Sequence, residues 1–189
     1  MDKSNGYEQI ATEFMKIRQP HIGADVVREW AQAFSANSEI LELGCGHGCV
    51  TEVLIEQGLK LYAIDASPTL LSTFRERFPS VETECATVEE SDYFNRTFAG
   101  VVAWGLIFLL AEDDQRKVLS KIAKALKPGG RLLFTAPSET AKWVDSMTNL
   151  ESHSLGKMEY ELLLHELGFS LESGQTDSGG NHYYMATKC

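Results

Sequence analysis

The residues best equipped for chemistry lie between Ile40 and Asp65. The stretch Ile40-Leu41-Glu42-Leu43-Gly44-Cys45-Gly46-His47-Gly48 runs a short apolar segment into three alternating glycines. Glycine at such a junction permits a sharp turn and lets the backbone approach a ligand with no Cβ between them. A helix predicted from near Val50 adds free N–H groups beside the turn. Asp65 ends the next predicted strand, Leu61-Tyr62-Ala63-Ile64, roughly twenty residues after the loop. A carboxylate there can accept hydrogen bonds from both hydroxyls of a ribose. A helix cap is the plainer use for a short polar residue at a strand end, but Ser67 already fills that position.

Three other constellations compete and lose. Cys45, His47 and Cys49 alternate across a glycine turn, which matches no standard zinc spacing, and no fourth ligand is evident. Tyr184 and Lys188 have a spacing used by some dehydrogenases, but they fall on an apparent terminal strand and not on a mid-chain helix. A nicotinamide enzyme would carry G-x-G-x-x-G; this loop reads Gly44-x-Gly46-x-Gly48. An NAD(P)-dependent oxidoreductase is therefore the second reading, and a catalytically silent cofactor-binding module the third.

The elements that must position these residues follow from the pattern along the 189 residues. The alternation of short apolar runs with longer amphipathic ones predicts strands at Ile40–Leu43, Leu59–Ile64, Val81–Glu84, Gly100–Trp104 and Arg131–Ala136, several of them near-continuously apolar. Helices are predicted at Val50–Gln57, Pro68–Phe78 and Asp114–Leu126, with a short helical turn in Thr87–Phe94. Ser67-Pro68 starts a helix and Lys127-Pro128-Gly129-Gly130 stops one. This rhythm predicts a three-layer, Rossmann-like, doubly wound α/β sheet. A helix at Met158–Leu167 and strands at Phe169–Glu172 and His182–Thr187 predict a C-terminal antiparallel hairpin on the otherwise parallel sheet. Residues 1–189 read as one domain, with a helical cap over 1–36 (helices at Tyr7–Arg18 and Ala24–Phe34) and an inserted segment over 137–157.

Composition narrows the partners. Seventeen basic residues against twenty-seven acidic ones give a net charge of −10, which opposes a phosphate backbone. No apolar run approaches the ~20 residues of a membrane helix, and the first residues, MDKSNGYEQI, lack the apolar core of a signal peptide. Cys45, Cys49, Cys85 and Cys189 show no disulfide rhythm. The expectation is a cytoplasmic protein, monomer or homodimer, with a small-molecule partner and neither nucleic acid nor membrane.

The stretches LELGCGHG, Asp65, FAGVVAWG and LKPGGRLLFTAP resemble the class I S-adenosylmethionine-dependent methyltransferases over essentially residues 39–188. The resemblance implies S-adenosylmethionine as cofactor, methyl transfer by in-line displacement, and a cofactor site of Glu42, Gly44, Cys45, Gly46, Gly48, Asp65, Ala66, Ala86, Thr87, Val88 and Trp104. In that family the glycine loop cradles the amino-acid and ribose portion, the acid takes the ribose hydroxyls, and the loop after the third strand holds adenine. Many relatives carry an Asp in that last loop where this chain has Ala86 and Thr87, which leaves adenine contact mainly to the backbone. Enzymes acting on exocyclic amines of nucleobases commonly show Asn/Asp-Pro-Pro-aromatic after the fourth strand; Ala103-Trp104-Gly105-Leu106 does not.

The acceptor is expected against the two segments outside the sheet pattern, Tyr7–Ile22 and Pro137–Lys157, acting as a lid. Tyr7, Phe14, Arg18 and Trp143 are the candidate acceptor contacts. His21, His153, Tyr7 and Glu139 are candidate bases, and sequence assigns the role to none of them.

Overall fold

The computed structural model describes residues 2–17, 22–172 and 174–189. Two helices open it, α1 (Tyr7–Ile17) and α2 (Ala24–Ala31). Then come β1 (Glu39–Leu43), α3 (Thr51–Glu56), β2 (Lys60–Asp65), α4 (Pro68–Arg77), β3 (Glu82–Cys85), β4 (Phe98–Ala103), α5 (Glu112–Ala125) and β5 (Leu126–Thr135). These five strands pair in parallel, β3-β2-β1-β4-β5. The order reverses between β1 and β4, which opens a crevice at the carboxyl ends of the strands.

Strand alternation divides the core between two layers of helix. Ile40, Leu61, Val102, Leu133 and Tyr183 pack with α2 and α3 on one face. Leu41, Tyr62, Val101, Leu132 and Phe134 pack with α5 and with α6 (Lys157–Glu166) on the other. The fold is the expected Rossmann-like α/β sandwich.

Its carboxyl-terminal end is antiparallel, as the sequence predicts. β8 (Phe169–Leu171) and β10 (His182–Lys188) pair through Ala186–Leu171 and Lys188–Phe169. β10 also inserts between β5 and β8, pairing antiparallel with β5 from Tyr183–Thr135 to Thr187–Arg131. A two-residue strand, β9 (Gln175–Thr176), adds to its start.

Three details depart from the sequence reading. The segment expected only as a lid holds a two-stranded hairpin, β6 (Ala141–Val144) with β7 (Glu151–Ser154). Thr87–Phe94 holds the expected helical turn, closed by Ser91 N–H on the Thr87 carbonyl at 3.0 Å, but runs on into a left-handed turn at Tyr93–Asn95 with φ of 50°, 57° and 52°. Residues Lys127–Gly130 stay within β5 as an irregularity, the register jumping from Phe98–Leu126 to Gly100–Arg131. Among the described residues no helix is long and apolar enough to cross a membrane.

Candidate active site

The glycine loop is pinned to the end of β2. Gly44 and Cys45 donate their N–H groups to the Ile64 carbonyl at 2.8 and 3.1 Å, and Gly46 donates to Asp65 Oδ2 at 2.7 Å. Arg77 of α4 holds the far side, its guanidinium 2.5 Å from the His47 carbonyl oxygen. Gly46 sits at φ +55°, and a Cβ on it would meet only the edge of Phe14 at 3.9 Å. It therefore leaves open space on the cleft side of the loop.

Asp65 accepts a second bond, from Ser67 N–H to Oδ1 at 2.8 Å, while Ser67 Oγ caps α4 by accepting from Leu70 N–H. Burial holds the Asp65 carboxyl above its ordinary range, against the pull of the Ser67 and Gly46 donors. Glu42 points to the α2–α3 face and is 2% exposed. Burial pushes its carboxyl up to about 8, although Thr51 Oγ1, at the start of α3, donates to Oε2 at 2.7 Å. Burial also pushes the Cys45 thiol well up.

These groups border one solvent-open cleft of about 1100 Å³. Glu42, Gly44, Cys45, Gly46, Asp65, Ala66, Ala86, Thr87, Val88 and Trp104 line it, together with Tyr7 and Phe14 of α1. Gly48 is a correction: it lies off the cleft, at φ +94°, and a Cβ there would stand 2.2 Å from the Phe78 ring. That glycine is needed for packing against the end of α4. Arg18 and His21 lie outside the described residues.

The N-terminal segment crosses the cleft, and its first residues are lining that sequence reasoning missed. Lys3 pairs with Glu90 at 2.6 Å, Asn5 Nδ2 donates to the Leu109 carbonyl at 3.2 Å, and Glu8 accepts from Ser67 Oγ and from Thr69 Oγ1 at 2.6 Å. Burial works against the Glu8 charge, but those hydroxyls and the Thr69 N–H outweigh it and keep the carboxyl below its ordinary value.

A second cavity of about 810 Å³ adjoins the cleft and shares Phe108 and Asn181 with it. Trp143 of β6 lies here and not on the cleft, its ring 5.8 Å from that of Phe108. Glu139 and His182 are the titratable groups on its wall. Burial, then Lys157, lowers the His182 imidazole below its ordinary value. His153 borders neither cavity; it sits on β7 beside Glu151, at 3.1 Å. His182 and Asn181 escaped sequence reasoning because the turn before β10 alone brings them to the cavity.

The same turn reaches the cleft. Asp177 accepts from Asn181 Nδ2 at 2.9 Å and from Tyr183 Oη at 2.7 Å, and Tyr183 Oη accepts from Trp104 Nε1 at 2.8 Å. A carboxylate offers only acceptors, so the Asn181 amide nitrogen must face Asp177. Cys49 Sγ stands 3.9 Å from His47 Nε2. Among the described residues no three His, Cys, Asp or Glu groups converge as a metal site.

Residues 40–130 match the family described as methyltransferase domain. An uncharacterized methyltransferase of Mycobacterium tuberculosis is 30% identical over 115 residues, covering 58% of this chain and 45% of that protein. Among solved structures, the CcbJ methyltransferase of Streptomyces caelestis superposes with a TM-score of 0.78 over all of both chains, at 17% identity. Over residues 40–130 this chain is similar to the methyltransferase-domain family, and its fold is that of solved S-adenosylmethionine-dependent methyltransferases. A ubiquinone biosynthesis O-methyltransferase of Idiomarina loihiensis is 28% identical over 124 residues, covering 62% of this chain and 50% of that protein. The chain spans about half the length of the curated relatives it matches.

The cleft fits the cofactor of this family. Asp65 has about four acceptor positions, of which the Gly46 and Ser67 N–H groups use two, leaving capacity for two ribose hydroxyls. The space beside Gly46 is bounded only by the edge of Phe14, and Ala66, Leu70 and Val88 supply apolar wall. No carboxylate stands at Ala86 or Thr87 to meet a base.

Proposed function

We propose that the protein binds S-adenosylmethionine in the cleft and transfers its methyl group to a small-molecule acceptor held in the adjoining cavity. The observation that carries this reading is the contact of the two cavities at Phe108 and Asn181, beside Trp104 at the end of β4. When bound, the cofactor supplies a sulfonium methyl with a neutral thioether as leaving group. What remains for the chain is alignment and exclusion of water. The Gly44–Gly46 backbone, with Cys45, receives the amino-acid end, Asp65 the ribose, and Ala66, Ala86, Thr87 and Val88 the base. Glu42 lies beneath the loop. Tyr7 and Phe14 close over it from α1.

On the acceptor side Trp143 and Phe108 form an aromatic wall that suits a planar acceptor. A base is needed only if that acceptor arrives protonated. His182 and Glu139 are then the groups placed to take a proton, burial favouring the neutral form of His182. The Idiomarina relative, by its name an O-methyltransferase, supports a small acceptor. The net charge of −10 disfavours nucleic acid. A reducing compartment, the cytoplasm, suits four cysteines that form no disulfide among the described residues.

Calorimetry with S-adenosylhomocysteine and with NAD tests the cofactor. The first should bind one site per chain and the second should not; the reverse result establishes the oxidoreductase reading instead. Transfer of labelled methyl to a panel of phenols, amines and heterocycles then separates an enzyme from a silent binding module.

A further inference from the structure

The loop between β3 and the turn at Tyr93 borders the cleft with a backbone that one distant side chain holds in place. Lys121 of α5 directs its ammonium at the carbonyls of Val88 at 3.3 Å, Glu89 at 3.0 Å, and Ser91. Three donors are all an ammonium has, and the nitrogen also stands 4.5 Å from the centre of the Tyr93 ring. Among the described residues Lys121 makes no ion pair, in a chain with twenty-seven acidic residues available to it. Its charge is committed to the loop.

The rest of the loop is bonded to itself, to β2 and β3, and through Glu90 to Lys3. Ser91 N–H donates to the Thr87 carbonyl at 3.0 Å, Glu90 N–H to Thr87 Oγ1 at 3.2 Å, and Ala86 N–H to the Asp65 carbonyl at 3.1 Å. The N–H groups of Thr87 and Val88 have no hydrogen-bond partner among the described residues. The carbonyls are thus drawn toward α5, while donors at Thr87 and Val88 remain unspent on the segment that borders the cleft. Successive backbone N–H groups in a turn form a cradle for an acceptor atom.

We propose that Lys121 is a positioning residue for the cofactor's base: by holding three carbonyls it fixes residues 86–91 so that backbone N–H groups meet the adenine ring. The inference rests on the S-adenosylmethionine reading above. It accounts for the missing carboxylate at Ala86 and Thr87, since a pinned backbone replaces side-chain recognition. Adenine presents an acceptor at N1; hypoxanthine presents an N–H there and meets such a loop donor to donor. A site built to bond one edge rejects the analogue that leaves its groups unpaired.

Calorimetry with S-adenosylhomocysteine and S-inosylhomocysteine on wild type, Lys121→Met and Lys121→Arg tests it. Wild type should prefer the adenosyl ligand by about tenfold or more. Lys121→Met should lose most of its affinity for that ligand, and the preference should shrink to about threefold or less. Lys121→Arg, which keeps a charged multiple donor, should restore most of both. General loosening of the protein would weaken both ligands alike and preserve the ratio. A preserved ratio, unchanged affinity in Lys121→Met, or a wild type indifferent to the base overturns the proposal. If Lys121→Met does not fold, Lys121→Gln carries the same ratio test with smaller amplitude. A wild type that binds neither ligand overturns the cofactor reading itself.

Discussion

Asp65 and Glu42 border one cleft, but their partners give them different uses. Asp65 keeps acceptor capacity at the surface of the cleft, so Asp65→Ala should cost about 1.5–3 kcal/mol of cofactor binding, roughly tenfold or more. Titration of the folded variant with S-adenosylhomocysteine checks this, and wild-type affinity would move the ribose elsewhere. Glu42 gives a pH signature instead. Its folded carboxyl titrates at about 8 against 4.5 when unfolded, so between those values the folded chain keeps a proton that the unfolded chain releases. Wild-type stability must therefore fall as pH rises through that window, by up to a few kcal/mol. Glu42→Gln keeps a group for Thr51 to bond and cannot ionise. Its melting temperature should gain on wild type steadily from pH 5 to pH 8; parallel curves would contradict the buried acid. At this scale the sequence was legible where chemistry is local, as in Gly44–Gly46 and Asp65. It misled at Gly48, whose constraint comes from Phe78, thirty residues away in the chain and in contact only in the fold.

Elements were legible in proportion to how evenly they are buried. Parallel strands covered on both faces read as apolar runs, so β1, β2, β4 and β5 lie where the composition places them. The β6–β7 hairpin gave no such signal. Its buried β7 positions are Ser152 and Ser154, the latter donating to the Pro137 carbonyl at 2.8 Å, and Lys142 and Val144 of β6 are exposed. A strand built on buried serines shows no alternation of apolar and polar residues. Two predictions belong here. Trp143→Ala should leave S-adenosylhomocysteine affinity within about twofold while raising the acceptor KM, because the side chain borders only the second cavity. An equal loss of cofactor affinity would place the ring in the cofactor site. Glu8→Ala should release α1 from the start of α4, where the carboxylate meets Ser67 and Thr69. The stability cost should be about 1 kcal/mol, or about 2–4 °C in melting temperature at this chain length. Stopped-flow measurement should show faster S-adenosylhomocysteine release, and an unchanged rate would mean that α1 does not gate the cleft.

For the whole molecule, the two segments left over by the sheet pattern meet above its carboxyl edge. A Cβ on Gly6 would lie 3.1 Å from Thr148, in the turn of the β6–β7 hairpin, so the N-terminal segment and the hairpin abut. The first is fastened across the cleft at Glu90, Leu109 and Ser67, and the second through Trp143 against Phe108. Most of these fastenings are single polar contacts, and the Lys3–Glu90 pair is exposed, a kind of pair that contributes little. A cover held this way opens readily, as segments with few buried apolar contacts do. A ligand that fills the cleft adds contacts to Tyr7 and Phe14 and should shift the cover toward closure. Because the two pieces touch, closure should protect both together. Hydrogen exchange with and without S-adenosylhomocysteine should therefore show slower exchange over residues 2–17 and 141–154 as well as at Gly44–Gly46 and Asp65. The cover should loosen with salt, since Lys3–Glu90 is an exposed ion pair. Protection confined to the glycine loop and Asp65 would mean that the cofactor site is already complete without the cover. The acceptor site would then be open and broad, and an acceptor as large as a protein surface would fit it better than a small planar molecule.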